Sequence, residues 1–245
     1  MSAKGRRRGE AIPLDYFPTP AWAVHRLLDD CAEELGVFAG DDVQVLEPTV
    51  GDGAIVRALD SWPGLRSADV LPSCTGVELR RDALDPRTRL AHHFEGVDFR
   101  SWDPWSVDPV AAALLEAALH PTGEFDVALG NPPFSVAESI IRRAMELARV
   151  VVMLLRISFL SSAERVPFWR GMGSDVAVRV LPDRPSFDGE GQDSAAYAWF
   201  IWGTDLSGVD VLDPTPEGVR AAQKEEARSA RIAVPQQSLF GGFER

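Results

Sequence analysis

Phe125-Asp126-Val127-Ala128-Leu129-Gly130-Asn131-Pro132-Pro133-Phe134 joins an apolar run of strand length to an amide, two prolines and an aromatic ring. Proline holds φ at about −65° and carries no N–H, so the turn after Gly130 is stiff and its carbonyls point in set directions. The residue before a proline is driven out of the helical region, which keeps Asn131 extended at the strand's end. The expected result is a rigid pair of acceptors, the Asn131 side-chain oxygen and the Pro132 carbonyl, beside the face of Phe134. Such a cluster suits a planar amino group on an aromatic or amide system. Two acceptors take its hydrogens and free the nitrogen lone pair, while the ring clamps the plane. Read alone, the same residues are also a strand, a Pro-Pro turn and one packed ring.

A second segment, Val43-Gln44-Val45-Leu46-Glu47-Pro48-Thr49-Val50-Gly51-Asp52-Gly53-Ala54, reads as a short strand, a glycine turn and the start of a helix. Gly51 and Gly53 allow close backbone approach to a ligand. The third glycine of a dinucleotide fingerprint and the Gly-Lys-Ser/Thr of a phosphate loop are both missing. Glu47 would place a carboxylate at the strand's C-terminal tip, where open α/β sheets bind ligands. A pyrophosphate would be repelled there, whereas a cationic amine or sulfonium would not. Acids recur in order: Glu78 ends the apolar stretch Cys74-Thr75-Gly76-Val77, and Asp98-Phe99 follows Gly96-Val97. Upstream, Thr19 and Pro20 are a natural N-cap and first residue for a helix over 20–35.

The Asn-Pro-Pro-Phe turn at 131–134 resembles the motif of S-adenosylmethionine-dependent amino-methyltransferases, particularly the N6-adenine DNA methyltransferases. The Glu47–Gly53 turn is similar to that family's first motif. The segments Arg156-Ile157-Ser158-Phe159-Leu160, Arg184-Pro185-Ser186-Phe187 and Tyr197–Trp202 look like pieces of its phage-type members. The resemblance spans roughly residues 12–203 and is specific by the order of its motifs. It implies Asn131, Pro132, Pro133 and Phe134 as catalytic residues acting on an adenine flipped out of DNA. It implies S-adenosyl-L-methionine as cofactor, held by Phe17, Thr19, Glu47, Gly51, Gly53, Glu78, Asp98 and Phe99. Within that set, Glu78 would grip the ribose hydroxyls, Asp98 would accept from the cofactor's adenine amino group, and the segment with Phe17 and Thr19 would cover the methionine end. The same motif also serves methylation of an RNA base amine or a protein glutamine, and a degenerate DNA-binding module is a further alternative. A covalent cysteine mechanism has no support, since neither Cys31 nor Cys74 follows a proline after the fourth strand.

The 245 residues, 45% of them hydrophobic, suffice for one α/β domain. The expected order is helix 20–35, strand 43–47, helix 53–60, strands 74–78 and 92–95, helix 110–119, strand 125–129, helix 135–149, strand 150–155, helix 161–170 and strands 175–181 and 195–202. Ser135 and Glu138 would form a capping box. Alternation of this kind implies a doubly wound, mostly parallel sheet. Seven strands with a C-terminal antiparallel hairpin are expected, the class I methyltransferase or Rossmann-like architecture. The expected divisions are a basic arm (1–11), a methyltransferase domain (12–212) with a target-recognition region (156–195), and a charged helix and tail (213–245).

Cys31 and Cys74 read as reduced core residues, and no apolar run approaches the ~18 residues of a membrane span, so a cytoplasmic protein is expected. His92 and His93, adjacent on a strand, would point to opposite faces and make no metal site. A formal charge of −12 argues against loose DNA affinity. Residues 142–184, however, hold eight arginines against four acids, a local +4 that would leave −16 for the rest. That segment is therefore expected to present a basic face to DNA. At the far end, Gln236-Gln237-Ser238-Leu239-Phe240 resembles the pentapeptide that docks on bacterial sliding clamps, with Gln237 where leucine is preferred, and implies the clamp as a partner.

Overall fold

The computed structural model describes residues 17–40, 43–67, 69–106, 112–113, 119, 124–172, 176–187, 193–216 and 218–219. The basic arm, most of the helix expected over 110–119, and most of the charged helix and tail expected over 213–245, the clamp-like pentapeptide included, lie outside the described residues.

Eight strands form one sheet: β1 (Gln44–Glu47), β2 (Ser73–Glu78), β3 (His92–Glu95), β4 (Phe125–Gly130), β5 (Ala148–Arg156), β6 (Val176–Val180), β7 (Tyr197–Trp202) and β8 (Gly208–Val211). Their spatial order is β3-β2-β1-β4-β5-β7-β6-β8. The first five run parallel. β7 inserts antiparallel between β5 and β6, which gives the expected C-terminal hairpin. The strand order reverses beside β1, where the sheet grows first toward β3 and then toward β5, so the connections leaving the tips of β1 and β4 diverge into the crevice typical of such sheets.

The strand count corrects the expected seven. β8 pairs parallel with β6 at the sheet's edge. Its four residues are all exposed, Val209 and Val211 included, so it lacks the buried apolar run that betrays the other strands.

Period-two alternation along β5 divides the core into two layers. Val152 and Leu154 face α1 (Ala21–Leu35) and α2 (Ala54–Asp60), together with Val45, Leu129, Trp199 and Ile201. Val151, Met153 and Leu155 face α3 (Ala137–Leu147) and α4 (Val166–Met172), together with Ile140, Ile141, Phe168 and Phe200. Burial on both faces accounts for the near-continuous hydrophobic reading of β4 and β5.

Several boundaries differ from expectation for identifiable reasons. Pro20 is the N-cap of α1, and Thr19 is not; the Thr19 hydroxyl is engaged elsewhere. α1 ends at Gly36, whose φ of 68° lets its N–H reach back to the carbonyls of Ala32 and Glu33. The Ser135–Glu138 capping box does not form. The Val136 N–H bonds to the Pro133 carbonyl at 3.0 Å, closing a turn that postpones the helix to Ala137, and Glu138 pairs instead with Arg142. The helix expected at 161 begins at Val166, because a 161 start would bury Pro167 in a helix interior, where it removes a hydrogen bond.

Trp199 is fully buried, and its indole N–H donates to the Ala23 carbonyl at 2.9 Å, tying β7 to α1 across 176 residues of sequence. Trp199→Phe removes that bond and leaves a void, at a cost of about 2 kcal/mol. Thermal unfolding should show Tm lower by roughly 4–8 °C; an unchanged Tm would contradict this packing.

Candidate functional site

The tips of β1, β2 and β4, the loop after β3 and the segment before α1 surround one cleft. Phe17, Thr19, Glu47, Gly51, Glu78, Asp98, Phe99, Asn131 and Pro133 all line it, so most of the residues singled out in the sequence converge. Gly53, Pro132 and Phe134 stand beside it.

The glycine turn is shaped by its dihedrals. Gly51 has φ 57° and Gly53 φ 82°, values that disfavour any side chain. A Cβ on Gly53 would also lie 2.2 Å from the Thr88 methyl carbon. Gly53 supports the turn and starts α2, and so acts beneath the cleft. The Gly51 N–H donates to Glu78 Oε2 at 2.8 Å, which fastens the β1 turn to the tip of β2.

Glu78 therefore already has partners. Its Oε1 accepts from the backbone N–H and the side-chain Nε of Arg80, both at 2.9 Å. Burial pushes its carboxyl up, but the hydrogen bonds and charge of Arg80 with the Gly51 N–H outweigh it, and the group sits below its ordinary value. Asp98 has the same design. Its carboxylate caps the short turn Phe99–Ser101 and is gripped by Arg100, whose hydrogen bonds hold it below the usual carboxylate range. Phe99 is buried beneath the cleft, whereas Leu79 is exposed on its rim. Arg80, Arg100 and Leu79 were missed in the sequence. The signal was present as acid-x-Arg after two strands, Glu78-Leu79-Arg80 and Asp98-Phe99-Arg100.

Glu47 differs from both. It is 3% exposed, and its Oε2 is buried without a hydrogen-bond partner. Burial first, and then the neighbouring charge of Asp52, push its carboxyl well above the ordinary value. Four carboxyl groups line the cleft (Glu47, Asp52, Glu78, Asp98); Arg57, Arg80 and Arg100 pair with Asp52, Glu78 and Asp98, which leaves Glu47 the one of the four without an ion pair among the described residues.

Asn131 is oriented unambiguously. Its Nδ2 lies 3.1 Å from both the Phe17 carbonyl and the Thr19 hydroxyl. A backbone carbonyl can only accept, so the amide nitrogen must face Phe17. Both amide hydrogens are thus engaged, and Oδ1 is the end left for an incoming donor. Pro132 is buried at the centre of the turn. Phe134 belongs to an aromatic group with Phe17 (centroids 6.4 Å apart) and Tyr197 (5.8 Å), and the Arg156 guanidinium lies 4.5 Å above its ring.

Five of the eight arginines behind the basic face expected over 142–184 are paired with acids. Arg142 pairs with Glu138, Arg143 with Glu146, Arg149 with Asp126, Arg156 with Asp193 and Arg179 with Asp30. Among the described residues no cluster of His, Cys, Asp or Glu could hold a metal ion, and no helix is long and apolar enough to cross a membrane.

No protein-family model matches the sequence, and no curated protein matches it. Solved structures match the fold. A protein of Listeria monocytogenes assigned to the class I S-adenosylmethionine-dependent methyltransferases superposes with a TM-score of 0.55 at 13% identity, covering 90% of this chain and 73% of its own. The methyltransferase subunit of a type I restriction-modification system from Streptococcus thermophilus gives 0.53 at 13% identity, over 90% of this chain and 55% of that one. The modification subunit assigned to a type I restriction enzyme of Vibrio vulnificus gives 0.51 at 14%, over 90% and 54%. The chain thus spans about half the length of the two restriction-system subunits. The fold is that of class I methyltransferases.

Glu47 makes a testable contribution to stability. A carboxyl whose folded pKa lies above its unfolded value binds more protons folded than unfolded, so stability falls as pH rises above the ordinary value of 4.5. Glu47→Gln removes that loss. The variant's Tm advantage over the parent should be absent in acid and grow toward neutral pH; an advantage independent of pH would show that Glu47 is not a strained carboxyl.

Proposed function

We propose that this chain is an S-adenosylmethionine-dependent methyltransferase acting on the N6 amino group of adenine in DNA. The observation that carries the reading is the fixed orientation of Asn131. Its hydrogens are consumed by Phe17 and Thr19, so Oδ1 stands as an acceptor in a stiff Pro-Pro turn beside an aromatic ring.

The residues of the cleft fit the cofactor. Its charge is net positive, and the cleft offers it Glu47, a buried carboxyl with one oxygen that lacks a hydrogen-bond partner. Glu47 and Asp52 would hold the cationic methionine end. Glu78 would hold the ribose once Arg80 shares its carboxylate, and Leu79, Val97 and Phe99 offer apolar contact for the adenine. When bound, the cofactor supplies an electrophilic methyl group on a sulfonium that departs as a neutral thioether. The protein therefore needs no acid for the leaving group. Asn131 Oδ1 and the Pro132 carbonyl would accept hydrogen bonds from the target amino group, hold its nitrogen in line and direct its lone pair; once methylated, the nitrogen sheds one proton to solvent. Phe134 stacks on the base, which must leave the duplex to reach the turn. Alignment supplies most of the acceleration.

Restriction-modification subunits among the structural matches support DNA as the substrate class. The pairing of five arginines with acids weakens any general phosphate attraction. DNA contact on this reading is local to the cleft mouth and does not extend over a basic face.

Asn131→Ala should abolish methyl transfer to DNA while leaving the calorimetric affinity for S-adenosylmethionine within a few-fold, since the side chain serves the acceptor. Lost cofactor affinity with normal turnover at saturation would overturn the assignment.

A further inference from the structure

Arg156 stands where the acceptor base must go. Its guanidinium carbon lies 4.5 Å above the Phe134 ring, stacked on an aromatic face of the kind a planar base would use. Its Nε donates to the Tyr197 hydroxyl at 3.1 Å, and a terminal nitrogen lies 3.4 Å from Asp193 Oδ2. That second contact is long, and the arginine side chain is 41% exposed.

The partners it would leave behind do not need it. Asp193 accepts from the Tyr197 hydroxyl at 2.7 Å and from the Ala195 N–H at 2.9 Å. Tyr197 is packed against Phe134 and Phe187. If Arg156 swings out, the acid keeps two donors and the tyrosine keeps its acceptor, so no buried group is orphaned. Arg156 is the exchangeable member of a cluster whose other members are fixed.

We propose that Arg156 is a positioning residue that makes the acceptor slot selective for a phosphate-bearing substrate. This rests on the reading of the 131–134 turn as the acceptor site. A base entering the slot displaces the guanidinium and carries its flanking phosphates to the same mouth. The planar fork of arginine matches a phosphate with two parallel hydrogen bonds, and so regains there what it loses on Phe134. A protein glutamine displaces the same arginine and offers no phosphate in return. The exchange also explains how a chain of charge −12 engages a polyanion: the cation is presented at the slot, at the moment of base entry.

The test is the salt dependence of methyl transfer to polymerase-amplified, unmethylated DNA by the parent, Arg156→Ala and Arg156→Lys. Each released counterion adds about one unit to the slope of log kcat/KM against log salt. Arg156→Ala should lose about one unit of slope and fall roughly ten- to hundredfold in kcat/KM at low salt, with cofactor affinity unchanged. Arg156→Lys keeps the charge and should keep the slope. A slope in Arg156→Ala equal to the parent's overturns the proposal, whatever happens to the rate. If Arg156→Ala does not fold, Asp193→Asn decides: loosening the arginine should lower the KM for DNA, and a raised KM overturns the proposal. If Asn131→Ala still transfers methyl groups, the acceptor reading itself falls. If Asn131→Ala is inactive and the Arg156→Ala slope is unchanged, only the role of Arg156 falls.

Discussion

The pair of hydrogen bonds from Asn131 Nδ2 to the Phe17 carbonyl and the Thr19 hydroxyl is the constraint on which the site depends. It joins a segment before the first helix to the tip of the fourth strand, more than a hundred residues later. It also decides which end of a symmetric-looking amide meets the substrate. An asparagine free to flip would present a donor as often as an acceptor, and a donor would repel the amino group that the proposed function brings to this turn. Phe17 lines the cleft and, through its carbonyl, sets which end of the Asn131 amide is engaged. Its ring adds to the aromatic group around Phe134, so one residue links the cleft to the rings beside the Pro-Pro turn.

Electrostatics sorts the acids of the cleft into two kinds. Glu78 and Asp98 are ionised and held by arginines two residues downstream, an arrangement that fixes loop geometry as much as it prepares a ligand contact. Glu47 is buried with an unpartnered oxygen, and burial disfavours its charge. A cation arriving beside Glu47 would relieve that cost, which makes the least comfortable carboxylate the one best suited to a sulfonium or ammonium group. Five of the eight arginines over 142–184 are likewise paired with acids, so charge summed along the sequence is a poor guide to the field the folded surface presents.

Much of the fold was legible because buried parallel strands have short apolar runs that announce themselves, as in Val127–Leu129 and Val150–Leu155. The order of the motifs placed the cleft at the strand tips, and the topology brought Glu47, Glu78, Asp98 and Asn131 there. What was not legible depended on contacts formed only in the folded chain. β8 has no buried face to leave a pattern. Thr19 has the chemistry of an N-cap, yet Asn131 competes for its hydroxyl and wins. Ser135 and Glu138 have capping-box spacing, but the turn forced by Pro132 and Pro133 uses Val136 first. The start of α4 could have been read from Pro167, since a proline belongs in the first turn of a helix. The stacking of Arg156 on Phe134 could not, because nothing local pairs residues on adjacent strand tips.

Where the methyl group lands distinguishes the possible acceptors. Incubation of the protein with methyl-tritiated S-adenosylmethionine and unmethylated DNA, followed by digestion to nucleosides and chromatography, reads this directly. The label should co-elute with N6-methyl-2′-deoxyadenosine. Label in 5-methylcytosine, or no label in DNA with incorporation into a protein glutamine instead, would contradict it.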